Sequence, residues 1–306
     1  MNVSQVTKHG KKRNASNKIR KSRSERFYIG FCVIICTLFA VICFYPMLYT
    51  FIISITPGKI YDEKAGIILW FPAKWSWVGY RQMLTGQTYV FTALKITVFR
   101  TVIASILHVL VCSLTGYALS RKGLPGKKTF MLFMLVTMLF GAGLIPGYLN
   151  IQELGLLNSF WVMILPGMFS AFDSLIFKQF FEGIPDEIEE AATMDGVSEL
   201  QLFGMIILPL SKSVIAAIGL FTVIGNWTAW FDAYLYISPA HSDLWPLQTF
   251  VMLTFNNLSA ASNSSVMDML AEVNKAGLGV TEMATKMALT IMSMVPILIM
   301  YPFFQK

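Results

Sequence analysis

The chain has 306 residues, of which 55% are hydrophobic and 13% charged, with 24 Phe and 18 Met; that balance lies well on the apolar side of a soluble domain and makes lipid the expected solvent. The net charge of +7 does not describe a nucleic-acid face, because nine of the Lys and Arg residues lie in residues 8–26 and form a basic tail. Cys32, Cys36, Cys43 and Cys112 fall in apolar runs without metal-ligand spacing to the three histidines, so they read as small core hydrophobes and not as a metal or disulfide set.

In chain order, residues 1–26 are the basic tail, expected in the cytoplasm, and residues 27–306 form one membrane domain. The apolar run after Arg26 is too long for a signal peptide and has no small-residue cleavage pattern, so it is expected as a retained first helix. A helix crossing the hydrocarbon needs about 20 mostly apolar residues. Six segments qualify, at 28–55, 97–119, 129–149, 157–178, 213–238 and 285–304. Strand alternation is absent, which excludes a β-barrel and predicts an all-α membrane protein with six transmembrane helices.

Charge sets the orientation. With the amino terminus inside, sixteen Lys and Arg residues are cytoplasmic and six external, so both termini are expected in the cytoplasm. In the second span, Lys95 and Arg100 lie near the outer end and are expected to snorkel, while His108 reads as a hydrogen-bonded packing residue. The next loop holds "GLPGKKT", residues 123–129. It lacks the Gly-x4-Gly-Lys-Ser/Thr spacing of a phosphate cradle, since Arg121 stands where the first Gly belongs, and it reads as a basic turn. In the third span Gly141, Ala142, Gly143 and Pro146 are pliable, and in the fourth Ser170 and Asp173 are weaker candidates for a pathway lining.

Between the fourth and fifth spans, residues 179–212 are too polar for lipid. Pro185 suits a first helical turn, and Asp186, Glu187, Glu189 and Glu190 place negative charge at the amino end of that helix. Gly196 stops it. Ser198 and Gln201 then form a capping box, with Val197 and Leu202 as its hydrophobic staple, and Pro209 ends the second helix. Ala191 and Ala192 share a face with Ile188 and Asp195, leaving a narrow patch into which another protein could press.

The fifth span carries Asn226, Trp227, Trp230, Phe231, Asp232 and Tyr234, with Asn226 and Trp230 one turn apart. Sugars are held by aromatic faces and by amides or carboxylates, and an ionisable residue inside a span faces a cavity or a protein partner. Asn226, Trp227, Trp230, Asp232, Tyr234 and Asp173 are therefore candidates for a substrate pathway, with an aromatic belt at the outer surface as the competing assignment.

The spacing Glu190-Ala191-Ala192, three residues, Gly196, nine residues, Ile206, one residue, Leu208-Pro209, with Asp195 before the Gly, resembles the EAA motif of the permease subunits of bacterial ABC importers. "GYALSRKGLPGKKT", "TMLFGAGLIPGYL", "FKQFFEGIPDEIEEAATMDG" and "WFDAYLYI" followed by "WPLQTF" resemble the maltose-permease-like carbohydrate branch. Within it they are similar to the lipoprotein-dependent complex-oligosaccharide permeases.

That resemblance implies a type I importer architecture in the bacterial plasma membrane. It implies a second homologous permease, two cytoplasmic ATPases that use ATP and Mg, and an extracellular solute-binding lipoprotein. This chain would bind no cofactor and catalyse nothing. Glu190, Ala191, Ala192, Asp195, Gly196, Ile206, Leu208 and Pro209 would couple it to an ATPase, and the cargo would be an oligosaccharide. Two departures stand out: Ser213 replaces a proline usual after Leu208-Pro209, and the common Trp-Asn pair is Trp227-Thr228 here. A non-sugar ABC cargo or an ion-coupled secondary transporter stays open as the alternative.

Overall fold

The computed structural model describes residues 22–57, 60–61, 72, 74–78, 80–81, 89–256 and 282–304. Most of the basic tail, and parts of the segments between the first and second and between the fifth and sixth predicted spans, lie outside the described residues. The chain divides into two units, Met1–Tyr49 and Thr50–Lys306. The first holds most of α1 (Arg23–Ser54), an apolar helix in which Cys36 and Cys43 are exposed and not core residues; Cys112, in the second unit, is buried.

The second unit is built around α2 (Tyr89–Ser120), a 32-residue helix with no internal proline. It is followed by α3 (Lys127–Leu139), α4 (Leu144–Glu153), α5 (Ala171–Phe181), α6 (Asp186–Met194), α7 (Glu199–Leu210), α8 (Lys212–Thr228), α9 (Phe231–Tyr236), α10 (Leu247–Asn256) and α11 (Glu282–Phe304). No strand occurs among the described residues. The most extensive helix contacts are those of α2 with α5 and with α8. At one end of α2, Val90 and Ala93 pack with Leu247, Phe250, Ala288 and Leu289. At the other, Cys112 and Tyr117 pack with Phe177, Phe181, Ala192, Leu202, Phe203 and Ile207.

The expectation of six continuous spans needs correction. Among the described residues three helices are long and apolar enough to cross a membrane, Ser24–Ser54, Val90–Ser120 and Met283–Met300. Two bent pairs pass only jointly, α3 with α4 at 116° and α7 with α8 at 82°, giving up to five. The predicted third span breaks because the chain leaves helix at Phe140 (φ −117°, ψ 100°) and re-enters it after Gly143. The predicted fourth span is a short 3-10 turn at Phe160–Met163 followed by irregular chain, and α5 starts only after Ser170, whose hydroxyl accepts from the Asp173 amide at 3.2 Å. Pro166 disfavours helix at Leu165 and explains part of that break. The predicted fifth span stops at Ala229 (φ −70°, ψ 131°) and resumes as α9.

Candidate functional site: a clamped acidic hairpin

Helix α6 is short for local reasons. Pro185 precedes it, and Asp186, Glu187 and Glu189 occupy its first turn, where free amides favour negative charge. Gly196 ends it at φ 77°, a left-handed conformation that costs other residues about 1 kcal/mol or more. The Gly196 amide donates to Thr193 O at 3.0 Å and the Val197 amide to Ala192 O at 3.1 Å, the paired bonds of a Schellman stop. After the turn, the Gln201 carboxamide oxygen accepts from the Ser198 amide at 3.0 Å and from its hydroxyl at 2.9 Å. Helix α7 then widens into a π turn at Phe203–Ile207 just before Pro209, which has no amide to donate back along the helix.

The hairpin is fastened to the ends of α2 and α5. Ala192, Leu202, Phe203 and Ile207 are buried with Tyr117, Phe177 and Phe181, and the Tyr117 ring lies 4.9 Å from that of Phe203. Around this apolar seam runs a ring of charge pairs. The Arg121 guanidinium donates to Glu189 on α6 and, at 2.6 Å, to Glu199 on α7. It also lies over the Tyr117 ring at 4.5 Å, and the Tyr117 hydroxyl donates to Glu199 at 2.8 Å. Lys122 pairs with Asp186 at 2.5 Å. Glu182 takes Lys178 at 2.7 Å and Lys127 at 3.0 Å. Of these, Arg121, Lys122, Glu182, Asp186 and Glu189 line a 710 Å³ cavity at the start of α6. Arg121, Lys122 and Lys127 are thereby committed to carboxylates, which does not suit the turn to cradling ATP phosphates.

Lys178, then Lys127, hold the Glu182 carboxyl below its ordinary value. A group depressed in this way stabilises the fold above the ordinary carboxylate range, and the contribution is lost as pH falls through the lowered value. Carboxyl-labelled titration of Glu182 is therefore expected to show a midpoint below that of an exposed glutamate. Lys178→Met should raise that midpoint.

The predicted coupling residues divide between two faces. Ala192 is only 6% exposed and belongs to the seam with α2, so it is not part of an open patch with Ala191. The reason is rotational: one residue along a helix turns the side chain by about 100°, and the buried face is set by Ile188, Ala192 and the Val197 turn. Glu190, Ala191, Asp195 and Gly196 are exposed, Ile206 and Leu208 are half-buried against the seam, and Pro209 is exposed. Beside them stand Met194 at 88%, Leu200 at 77% and Met205 at 72% exposure, large apolar groups left uncovered by this chain.

The pathway candidates are not a single cluster of free side chains. Asp232 is paired with Arg100, which is 2% exposed and also donates to Ala229 O at 3.3 Å. Arg100 thus does not snorkel: its partner sits on an element 132 positions away, where sequence proximity gives no warning. Trp227 is buried and its indole donates to Ser293 O at 2.9 Å, so it is a packing residue between α8 and α11. The Asn226 amide donates to Thr222 O at 2.9 Å, and the break at Ala229 removes the shared helical face expected for Asn226 and Trp230. Trp230 and the exposed Tyr234 stay together, rings 6.1 Å apart. Asp173 bonds His108 at 2.9 Å, and the other ring nitrogen of His108 meets Gly167 O at 2.9 Å. Tyr117, Arg121 and Lys122 were missed as site residues, although a basic turn and an acidic hairpin on the same predicted membrane side were a usable signal.

Comparison with known proteins gives a consistent picture. The family model described as "Binding-protein-dependent transport system inner membrane component" matches residues 129–306. The chain is similar to the polygalacturonan/rhamnogalacturonan transport system permease protein YtcP of Bacillus subtilis (strain 168), with 35% identity over 269 residues, 88% of this chain and 90% of the relative. It is 32% identical over 238 residues to Protein LplC of the same organism, covering 77% of each. Among solved structures it is similar to a chain of a bacterial ABC transporter involved in the import of the acidic polysaccharide alginate. That match has a TM-score of 0.81 and 29% identity, covering 93% of this chain and 98% of that one.

Proposed function

This chain belongs to the family of binding-protein-dependent transport system inner membrane components, and on that premise we propose that it is the permease subunit of an ATP-driven importer whose cargo is an oligosaccharide. It is a multi-pass helical transport subunit and not an enzyme; ATP hydrolysis belongs to separate subunits. The cargo assignment is supported by the relatives, whose names refer to polygalacturonan/rhamnogalacturonan transport and to alginate import.

The observation that carries the mechanism is the hairpin. Helix α6 is too short and too acidic for lipid, is stopped by the Gly196 turn, and is held on one face while Glu187, Glu190, Ala191 and Met194 remain open on the other. That is the form of a rigid lug. We assign this face to a cytoplasmic ATPase, with both termini of the chain in the cytoplasm. A second related permease would complete the channel, two ATPases using ATP and Mg would drive it, and an external binding lipoprotein would deliver the sugar. Closure of the ATPases would carry α6 with it and swing α8 about the bend at Ser211. Coupling requires contacts that differ between two states, and a capped helix conveys such a difference where a loose loop would absorb it.

In the complete importer, Glu190→Ala and Gly196→Val are each expected to lower sugar-stimulated ATP hydrolysis about tenfold, the second by straining a left-handed turn worth roughly 1–2 kcal/mol. Insertion of the chain should be unaffected. Full transport and full ATPase recruitment in both variants would dismiss the docking assignment. Uptake should also stop with vanadate and continue with an ionophore. The reverse pattern would favour an ion-coupled transporter.

A further inference from the structure

The long helix α2 carries a paired arginine toward each end. Arg121, just beyond its last turn, joins the hairpin; Arg100 joins Asp232 in α9. The two lie about 30 Å apart at 1.5 Å per residue. Between them the helix has no proline and packs along α5 and α8. A displacement imposed at one end of such a rod is delivered at the other, provided the end is gripped.

The grip at the hairpin end is specific in kind. Glu189 immediately precedes the open Glu190, and Glu199 lies on the second arm across the Gly196 turn. One guanidinium reaches both, so α6 and α7 are tied to α2 as a unit and not through one arm alone. Lysine, a single point of charge, could not hold two carboxylates in that fork geometry. Tyr117 completes the arrangement by donating to Glu199 while its ring supports the guanidinium. The Arg121 and Glu189 side chains are only 23% and 25% exposed, so this arm is less screened by solvent than the Glu199 arm, where the acid is 74% exposed.

We propose that Arg121 is a positioning residue that transmits movement of the α6–α7 hairpin into α2, and through it to the Arg100–Asp232 pair beside the Trp230 and Tyr234 aromatics. The proposal rests on reading the hairpin as the ATPase-docking surface. It adds a second route of coupling, by side chains to α2, beside the covalent one through Pro209 and Ser211 to α8. Hairpin and rod stay in register only while one base faces two acids.

The test uses the full importer in proteoliposomes, with transport counted per ATP hydrolysed and the ATPases quantified by co-purification. Arg121→Glu sets three carboxylates together and is expected to cut transport per ATP about tenfold, within the 5- to 150-fold range of ordinary coupling free energies. The ATPases should remain bound, because the open face of α6 is unaltered. Adding Glu189→Arg restores one base against two acids and is expected to recover most of the loss, with Arg121→Lys falling between. Wild-type transport per ATP in Arg121→Glu would overturn the proposal. So would loss of the ATPases from that variant, or a double variant no better than the single one. If Glu190→Ala and Gly196→Val both leave transport and recruitment intact, the docking assignment itself fails; if they are defective while Arg121→Glu is not, only the transmission route fails.

Discussion

Gly116→Leu is expected to remove nearly all folded protein from a membrane extract. A Cβ at this position would lie 2.5 Å from the Phe177 Cβ, 2.8 Å from Ser174 O and 2.9 Å from the Lys178 amide nitrogen. Two of those three atoms are backbone, so no rotamer change relieves the clash; α2 and α5 must part. These helices form the most extensive contact in the second unit, and their separation opens the seam that seats Ala192, Leu202 and Phe203. Small residues where membrane helices cross serve this close approach, and overpacking against backbone costs about 3 kcal/mol or more, over a hundredfold in the folding equilibrium. Gly219→Ala, with nothing within 4 Å of the added carbon, is the control and should stay within about 0.5 kcal/mol. Monodisperse yield in mild detergent and the thermal midpoint measure both. A Gly116→Leu protein with wild-type yield and midpoint would show that α2 and α5 do not cross so closely.

Breaking the Arg100–Asp232 pair is the second large effect, and its two halves are unequal. Asp232→Leu leaves a guanidinium that is 2% exposed and cannot discard its charge. Arg100→Leu leaves a carboxylate that is 28% exposed, which can draw in water. Removing one partner of a buried pair costs about 3–5 kcal/mol, so Asp232→Leu belongs at the upper end and Arg100→Leu below it. The double variant Arg100→Met with Asp232→Leu should regain most of the stability, since the pair replaced by apolar side chains leaves no stranded charge. Thermal midpoints of the three proteins in one detergent decide this. Equal losses in the two single variants, or a double variant worse than either, would count against the unequal burial that orders them.

The hairpin was legible from sequence because its punctuation is local. Pro185, Gly196, the Ser198 to Gln201 spacing and Pro209 each act within four residues, and the structure puts helix boundaries at or beside them. The spans were legible only as apolar runs. Hydropathy registers what a residue dissolves in and not where the backbone turns: the break at Ala229 left no trace in composition, and those after Leu139 and before Ala171 showed only as the pliable Gly141 to Gly143 stretch and as Pro166. Pairing was least legible. Arg100 resembles any cation near a helix end until Asp232 is placed against it, and Ala191 and Ala192 are chemically alike until the fold buries one of them.

The π turn at Phe203–Ile207 has a consequence for insertions and deletions. A π turn accommodates one residue more than the α turn it replaces, so loss of a single residue there would let α7 close into regular helix. Because the wider turn absorbs the extra residue, its loss would leave the segments on either side near their present relative angle. A deletion in the regular part of α7 is different: everything before it would rotate by about 100° about the α7 axis and shift by about 1.5 Å, carrying Leu200 and the α6 face round with it. Outside the π turn, chain length between Ser198 and Pro209 is thus an angular setting, and substitutions there are a gentler change than a shift in its count.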